Sequence, residues 1–399
     1  MKTFLFAAGA SIPFFDPALY TNYLTETVKD INSWKLVIEK YKNTLEGAVI
    51  PDAQKIFNII TCICKNYRNT DANFEQIAEI IDKLASYGYS MGEKDLDIFV
   101  KTLLTISGKD NITPNVELAH VPFLFREIIA GAILDLQENH KSKSYDDLIK
   151  KQKELLEYIN IHDTEINLIS LNYDDCLIES CEGLGFENCF NKRKLDIGKF
   201  VKCKKVIYFP HGQLRFQYTN DTNDNNIDSN VILWDDSSTA DKKRWYGLDD
   251  IAVKNTCQLT KGGFAYNYNT FITTGQTKND CFNILPYSVY YERMATDFAS
   301  SDTIYIIGYS FGDQHINRLL NTFLERNENN KIFIIDYSKE KYSAQTILET
   351  FNTFNPDGVY LYNQNEVNES KEEKHNVIYY NKGYEEFLNE FDKVLKANF

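Results

Sequence analysis

The feature that most constrains the fold of this chain is a set of short apolar runs, each of which ends in small or polar residues. The runs are Thr3–Ala7, Ile166–Ile169, Val206–Phe209, Thr303–Ile307 and Ile332–Ile335. Runs of four or five residues that are rich in β-branched side chains and apolar on both faces are typical of buried parallel strands. The runs therefore predict the strands of a parallel sheet.

The segment between the last two runs predicts a helix. Its apolar residues recur at i, i+3, i+4, i+7 and i+8, the spacing of one helix face. They are Ile316, Leu319, Leu320, Phe323 and Leu324. A strand, a helix and a strand in succession form a right-handed βαβ unit. We therefore predict an α/β fold with a doubly wound, Rossmann-like parallel sheet, to which Val377–Tyr380 adds a strand and Glu385–Leu395 a helix.

Two long segments separate these strands. Residues 21–159 show helical periodicity, for example at Phe74–Leu84, Leu96–Leu104, Phe123–Leu136 and Tyr145–Ile159, and we interpret them as an inserted, mostly α-helical module. Residues 216–285 form a second insertion. It begins with a run too polar to bury, Tyr218–Asn226, which we interpret as a flexible loop. The α/β domain is then composed of residues 1–20, 160–215 and 286–399, with a second polar stretch at 363–375.

Charge and composition exclude several classes of protein. The chain has 43 Lys and Arg against 57 Asp and Glu, a net charge of −14, which argues against direct binding of nucleic acid or of an anionic membrane. No run approaches the roughly 18 apolar residues of a membrane-spanning helix. The apolar start at Phe4–Ala10 is short for a signal peptide, and the eight Cys lack CxxC spacing. We therefore expect a cytoplasmic protein without a disulfide framework or a structural zinc ion.

The candidate site lies where the predicted strands end. In an open parallel sheet, ligands bind beyond the carboxyl ends of the strands. The residues there are Gly9 and Ser11, Asn172 and Asp174, His211, Gly308 and Ser310, and Asp336. Each alone has a structural explanation, since Asn and Asp form turns and a single His is often structural. Five strand ends converging on one crevice favour a binding site.

The residue types suit a dinucleotide. Small residues at positions 8–11 would let backbone N–H groups approach a pyrophosphate, and Asp336 could accept hydrogen bonds from ribose hydroxyls. The catalytic end would hold Asn172 and His211. Asp313 and His315 suggest a metal pair at first sight, but their position favours a helix N-cap and a packing or loop-tethering His.

Four motifs, in this order, resemble the NAD-binding motifs of sirtuins. They are Ala8-Gly9-Ala10-Ser11, Asn172-x-Asp174, Pro210-His211-Gly212 and Gly308-x-Ser310. The run from Gly308 to Asn317 resembles the sirtuin-like proteins of bacterial anti-phage defence more than the protein deacetylases. Ala7 stands where the family's loop begins with Gly, and the four-Cys zinc module of the deacetylases is missing. This second departure puts deacylation in doubt.

The resemblance implies an NAD+ glycohydrolase that depletes NAD+ during infection, without a metal. It implies these roles: phosphate binding by Ala8, Gly9, Ala10 and Ser11; water or nicotinamide ribose binding by Asn172; orientation of the Asn172 loop by Asp174; general base catalysis, or a proton relay through a ribose hydroxyl, by His211; phosphate or ribose contacts by Gly308 and Ser310; adenosine ribose binding by Asp336.

The resemblance also implies control by assembly or by a partner. We expect a homo-oligomer, and a HerA-type ring ATPase or an argonaute-like protein as the partner that contacts nucleic acid. Two alternatives stay open. One is a protein deacylase or ADP-ribosyltransferase, which would release nicotinamide only with an acyl-lysine or protein acceptor. The other is a non-catalytic sensor of NAD or ADP-ribose, which would bind without turnover.

Overall fold

A computed structural model describes most of the chain. The described residues are 1–17, 21–35, 53–90, 117–191, 194–218, 232–234, 257–260, 263–266, 285–337, 359–361 and 377–398. The predicted helical stripe at Leu96–Leu104, the polar run after Tyr218 and the stretch at 363–375 lie outside them. The chain forms two compact units. The sheet unit comprises Met1–Tyr20, His140–Pro210 and Tyr287–Phe399, and the helical unit comprises Thr21–Asn139 and His211–Pro286.

The strands follow one another along the chain as β1 (Lys2–Phe6), β2 (Ile166–Ser170), β3 (Phe190–Asn191), β4 (Lys194–Leu195), β5 (Lys205–Tyr208), β6 (Phe216–Tyr218), β7 (Ile232–Trp234), β8 (Cys257–Thr260), β9 (Gly263–Tyr266), β10 (Thr303–Ile307), β11 (Lys331–Ile335), β12 (Val359–Leu361) and β13 (Val377–Tyr380).

The helices are α1 (Ala8–Ser11), α2 (Thr21–Lys29), α3 (Ala53–Tyr67), α4 (Phe74–Ser90), α5 (Glu117–Asn139), α6 (Tyr145–His162), α7 (Cys176–Cys181), α8 (Ile197–Lys202), α9 (Tyr287–Ser300), α10 (Gln314–Arg326) and α11 (Tyr384–Asn398). Among these described helices, none combines the length and the apolar character needed to cross a membrane.

The main sheet has seven parallel strands in the order β12-β13-β11-β10-β1-β2-β5. From β1 the chain adds β2 and β5 on one side and then β10 and β11 on the other, the arrangement of a doubly wound sheet. The predicted α/β, Rossmann-like parallel sheet is therefore confirmed. The apolar run of β12 is only three residues long, and it was too short to predict a strand.

Burial of the strand side chains explains why these runs form a sheet. Phe4, Leu5 and Phe6 of β1 are each at most 2% exposed, and the ring of Phe4 stacks on Tyr305 of β10 with centroids 4.5 Å apart. A buried Phe or Leu side chain contributes about 1.5–3 kcal/mol relative to an exposed one. Apolar residues on both faces of β1 thus fix it at the centre of the sheet.

The predicted βαβ unit is confirmed by β10, α10 and β11. Four of the five predicted apolar residues of α10 are buried, and Leu319 is half-buried. Asp313 is the N-cap, since its Oδ1 accepts hydrogen bonds from the N–H groups of His315 (2.9 Å) and Ile316 (3.3 Å). The His315 ring packs edge-on against Tyr291, at 5.2 Å between centroids. No group of three or more potential metal ligands occurs within the described ranges.

Helix α6 belongs to the sheet unit. Tyr145 Oη donates a hydrogen bond to Glu179 Oε2 (2.9 Å), and Lys153 Nζ donates to the carbonyl of Glu182 (2.9 Å), so α6 lies against α7 and the turn after it. Residues up to 159 were predicted to belong to the helical module. An amphipathic stripe shows that a helix buries one face, but it does not identify the element that covers that face.

The helical unit contains α2 to α5, and the helices predicted at Phe74–Leu84 and Phe123–Leu136 are confirmed by α4 and α5. Its centre holds a buried ion pair between Arg126 Nη2 and Asp82 Oδ2, at 2.9 Å. Trp34 is 1% exposed, donates a hydrogen bond from Nε1 to the carbonyl of Val28 (2.7 Å) and packs against Phe125. This unit also contains the antiparallel pairs β6–β7 and β8–β9.

Candidate functional site

The centre of the candidate site is the point where β1 and β10 end side by side. The strand order reverses here, and ligands of open α/β sheets bind in the crevice beyond such a point. Gly9 follows β1 and Gly308 follows β10, and the Gly9 N–H donates to the Gly308 carbonyl at 2.9 Å. The two loops therefore meet backbone to backbone.

Neither glycine has room for a side chain. A Cβ atom at position 308 would lie 2.3 Å from Gly9 Cα, and one at position 9 would lie 2.5 Å from Gly308 Cα. Gly308 also has a φ of +63°, in the left-handed region that favours glycine. The sequence predicted a turn of small residues after each strand, but it did not show that the two turns touch.

Asn172 is held at the end of β2 by hydrogen bonds to the first loop. Its Nδ2 donates to the carbonyl of Ala7 (2.9 Å) and to Ser11 Oγ (2.8 Å). Its backbone N–H donates to Ser170 Oγ (3.2 Å). Both amide hydrogens are thus used within the protein. The remaining Oδ1 bonds to none of the described residues, so Asn172 can offer a ligand a hydrogen-bond acceptor.

Ser11 and Asp174 form a buried support beneath Asn172. Ser11 Oγ donates to Asp174 Oδ2 (2.5 Å), and Asp174 Oδ1 accepts from the Cys176 N–H (3.1 Å). Ser11 is 2% and Asp174 3% exposed. Burial raises the pKa of the Asp174 carboxyl above its ordinary value, while the hydrogen bonds from Ser11 and Cys176 act in the opposite direction. Since the Ser11 hydroxyl points into this network, it positions Asn172.

The predicted phosphate loop offers fewer donors than its sequence implies. Among the described residues, the Gly9 N–H bonds to Gly308 and the Ala10 N–H bonds to the Ala7 carbonyl (2.8 Å). The N–H of Ala8 has no such partner, and Ala8 is exposed. The N–H of Ala8 is therefore the donor of these three that is available to an anion.

Asp336 lies at the end of β11, next to β10. Its Oδ1 accepts a hydrogen bond from the Tyr337 N–H (2.9 Å), and within the described ranges it forms no ion pair. Burial raises the pKa of this carboxyl to about 6. A half-buried carboxylate of this kind can accept hydrogen bonds from hydroxyl groups of a ligand. The assignment of Asp336 to a ribose stays a prediction.

Ser310 is exposed in the loop between β10 and α10, and two residues not predicted from the sequence support this loop. Tyr309 Oη lies 3.0 Å from Asn317 Oδ1 and accepts a hydrogen bond from the Asp313 N–H (3.2 Å). Asn317 Nδ2 donates to the carbonyl of Phe311 (2.7 Å), whose φ is +57°. An Asn one turn into a helix resembles any surface residue, so sequence gave no signal for this role.

His211 follows β5 by three residues and belongs to the helical unit. It is 6% exposed, and the next residue, Gly212, has a φ of +97°. The glycine is therefore required by the backbone of this turn. The assignment of His211 as a general base stays a prediction.

Part of the chain matches a known protein family. The family model of the SIR2-like domain matches residues 167–355, a range that contains Asn172, Asp174, His211, Gly308 and Asp336. No curated protein matches the chain. SIR2-like domains are commonly NAD-dependent enzymes, which indicates an NAD-related function and NAD binding. The match of this family model thus indicates a SIR2-like domain at residues 167–355.

Proposed function

We propose that this protein is an NAD+ glycohydrolase, which cleaves NAD+ to nicotinamide and ADP-ribose. The observation that carries the proposal is the fixed amide of Asn172. Two hydrogen bonds from Nδ2 set its orientation, and Ser11 is in turn held by the buried Asp174. The free acceptor Oδ1 suits either a water molecule or a ribose hydroxyl, the two groups that such a reaction must orient.

The other residues at the strand ends fit the parts of a dinucleotide. The Ala8 N–H, next to the backbone contact of Gly9 with Gly308, can donate a hydrogen bond to a pyrophosphate. The Asp336 carboxylate, one strand further along the sheet, suits a ribose diol. Ser310 is exposed and can donate a hydrogen bond to phosphate or ribose. No residue of this set needs a metal for these contacts.

The reaction forms one bond and breaks one bond at C1′ of the nicotinamide ribose. Water adds to C1′ of the nicotinamide ribose, the bond from C1′ to the nicotinamide nitrogen breaks, and one proton of the water is released. The leaving group is already cationic before it departs, so the reaction needs no strong acid. Asn172 would hold the water or the ribose in place as an oxocarbenium-like state develops, and we assign the acceptance of the proton to His211.

The test is NAD+ consumption by the purified full chain, with the products resolved by chromatography. We expect nicotinamide and ADP-ribose in equal amounts. Asn172→Ala and His211→Ala should each lower kcat about 100-fold or more, as expected for loss of a positioned catalytic group. Asn329→Ala is the matched control, because Asn329 is exposed in the turn before β11. This turn lies at the amino ends of the strands, and the candidate site lies at their carboxyl ends. Circular dichroism would verify that each variant is folded.

The other candidate functions give different results in the same assay. Nicotinamide release that requires an acylated peptide or a protein acceptor would indicate a deacylase or an ADP-ribosyltransferase. NAD+ binding without turnover, even with a HerA-type ATPase or an argonaute-like partner present, would indicate a sensor. Either result would contradict the hydrolase.

We further propose that the reaction serves anti-phage defence, in the cytoplasm and in a homo-oligomer. The resemblance of Gly308–Asn317 to defence proteins supports this part of the proposal. Cells that express the protein with its partner should lose NAD+ after infection, and cells with Asn172→Ala should keep it. Light scattering on the purified chain would measure the oligomeric state.

A further inference from the structure

Two cysteines, Cys189 and Cys203, lie in the connection between β2 and β5. Glu187 forms a parallel bridge with Val206, and its N–H donates to the Lys205 carbonyl at 3.0 Å. Cys189 follows Glu187 by two residues, and Cys203 precedes Lys205 by two. Cys203 Sγ donates to the same Lys205 carbonyl (3.2 Å), and Cys189 Sγ lies 4.0 Å from the carbonyl of Glu187.

The two thiols differ in exposure, and each affects the protonation of the other. Their interaction raises the pKa of Cys189 and lowers the pKa of Cys203. Cys189 is 2% exposed and has a φ of +60°, whereas Cys203 is half-buried. The Asp196 N–H donates to the carbonyl of Cys189 (2.9 Å), which fixes the strained backbone there. Cys203 is therefore the more accessible thiol of the two.

The surroundings favour a thiolate at Cys203. The interaction with Cys189 lowers the pKa of the Cys203 thiol, and the positive charge of Arg293 acts in the same direction, while burial and the charge of Glu187 oppose it. Arg293 is fixed in place, since its Nη2 donates to the Cys203 carbonyl (2.9 Å) and its Nη1 to the Phe200 carbonyl (2.6 Å). The same interaction and burial raise the pKa of Cys189, which stays protonated.

We propose that Cys189 and Cys203 form a peroxide-reactive thiol pair, in which Cys203 is the attacking thiolate and Cys189 the resolving thiol. The oxidant is a hydroperoxide. The Cys203 thiolate attacks one peroxide oxygen, the O–O bond breaks, and Cys203 becomes a sulfenic acid as hydroxide leaves. The Cys189 thiol then displaces the sulfenic oxygen as water and forms the disulfide. The two thiols lose two electrons together, and the peroxide accepts them.

The other cysteines whose thiols the structure describes lack this arrangement. Cys62 and Cys64 are two residues apart on α3, and residues at this spacing do not face each other. Burial raises the pKa of Cys176 and of Cys181, which disfavours a thiolate at either residue. Reaction with peroxide should therefore begin at Cys203.

The test exposes the full-length protein to hydrogen peroxide, blocks the remaining thiols and identifies disulfides by mass spectrometry without reduction. Cleavage after Glu and Lys places Cys189 in the peptide 188–192 and Cys203 in the peptide 203–204. We expect these peptides to be linked, and the linkage to disappear after dithiothreitol. In Cys189→Ser the resolving thiol is absent, so Cys203 should stop at the sulfenic acid and be labelled by dimedone.

Two controls make the result decisive. Cys62→Ser should form the same disulfide at the same rate, and Cys203→Ser should form neither the disulfide nor the dimedone adduct. In the untreated protein at pH 7, iodoacetamide should label Cys203 at least about 10-fold faster than Cys189. The proposal is overturned if peroxide links other cysteines as often as this pair. It is also overturned if Cys203 stays a free thiol in a protein that circular dichroism shows to be folded. Neither measurement depends on NAD+ turnover.

Discussion

Replacing Gly308 by Ala tests the close approach at the centre of the sheet. Ala at a φ of +63° costs about 1–2 kcal/mol, because its Cβ crowds the backbone in the left-handed region. The Cβ would lie 2.3 Å from Gly9 Cα and 2.4 Å from the Ala10 nitrogen, and overpacking of this kind costs about 1–3 kcal/mol. The unfolded chain has less conformational entropy with Ala than with Gly, and this offsets about 0.4–1 kcal/mol of the loss in stability. We therefore expect a loss of about 2–4 kcal/mol in unfolding free energy.

Hydrogen exchange measured by mass spectrometry is the suitable assay, because the sheet unit contains no Trp and tryptophan fluorescence would not report on it. A loss of 2–4 kcal/mol corresponds to roughly 30- to 700-fold faster exchange of the β1 and β10 amides that open only with the whole unit. Exchange accelerated by less than about threefold would refute the steric argument.

Three other glycines provide a graded comparison. Gly9→Ala should lower the unfolding free energy by less than Gly308→Ala does. Its Cβ would also clash, at 2.5 Å from Gly308 Cα, but Gly9 does not have a positive φ. Gly312→Ala should change stability by less than about 1 kcal/mol, because the nearest atom to its Cβ, Ser310 Oγ, would be 3.7 Å away. Gly198→Ala should stabilise by about 0.5–1 kcal/mol, since Gly198 lies within α8 and has room for a methyl group.

Further predictions concern charge and helix capping. Asp336 has a folded pKa of about 6, above its unfolded value, so its contribution to stability should be largest below about pH 4 and be lost as the pH rises towards 6. Asp336→Asn should stabilise the protein at pH 7 by about 1–2 kcal/mol. The same substitution should weaken NAD+ binding. In titration calorimetry the wild type should bind NAD+ more weakly below pH 6, and the variant should lack this pH dependence. Asp82→Asn should destabilise the helical unit by about 3–5 kcal/mol, since it leaves the Arg126 charge buried without its carboxylate. Denaturation followed by tryptophan fluorescence checks this, with the exposed Glu79→Gln as a control of less than about 0.5 kcal/mol. Asp313→Ala should cost about 1 kcal/mol and accelerate exchange at the start of α10, whereas Asp313→Asn should not.

Six of the seven strands of the main sheet could be predicted from the sequence, because each is a short run rich in apolar residues on both faces. A strand buried on both faces is rich in apolar residues, so it can be recognised in the sequence. Because the strands are parallel, their carboxyl ends then lie at the same side of the sheet. The partner of α6 was not predictable, since a helical stripe is the same whether a sheet or another helix covers it. Tyr309 and Asn317 were not predictable either, because their hydrogen bonds to the loop depend on its three-dimensional path.

For the candidate site too, the sequence indicated which residues to consider but not how their side chains contact one another. The family resemblance implied two separate roles, phosphate binding for Ser11 and orientation of the Asn172 loop for Asp174. In the structure, Ser11 Oγ donates to Asp174 and accepts from Asn172, so the three side chains form one chain of hydrogen bonds from a buried carboxyl to the exposed edge of the site. One consequence distinguishes this arrangement from phosphate binding by Ser11. If Ser11 bound phosphate, Ser11→Ala would raise the KM for NAD+, whereas loss of a support for Asn172 would lower kcat with little change in KM.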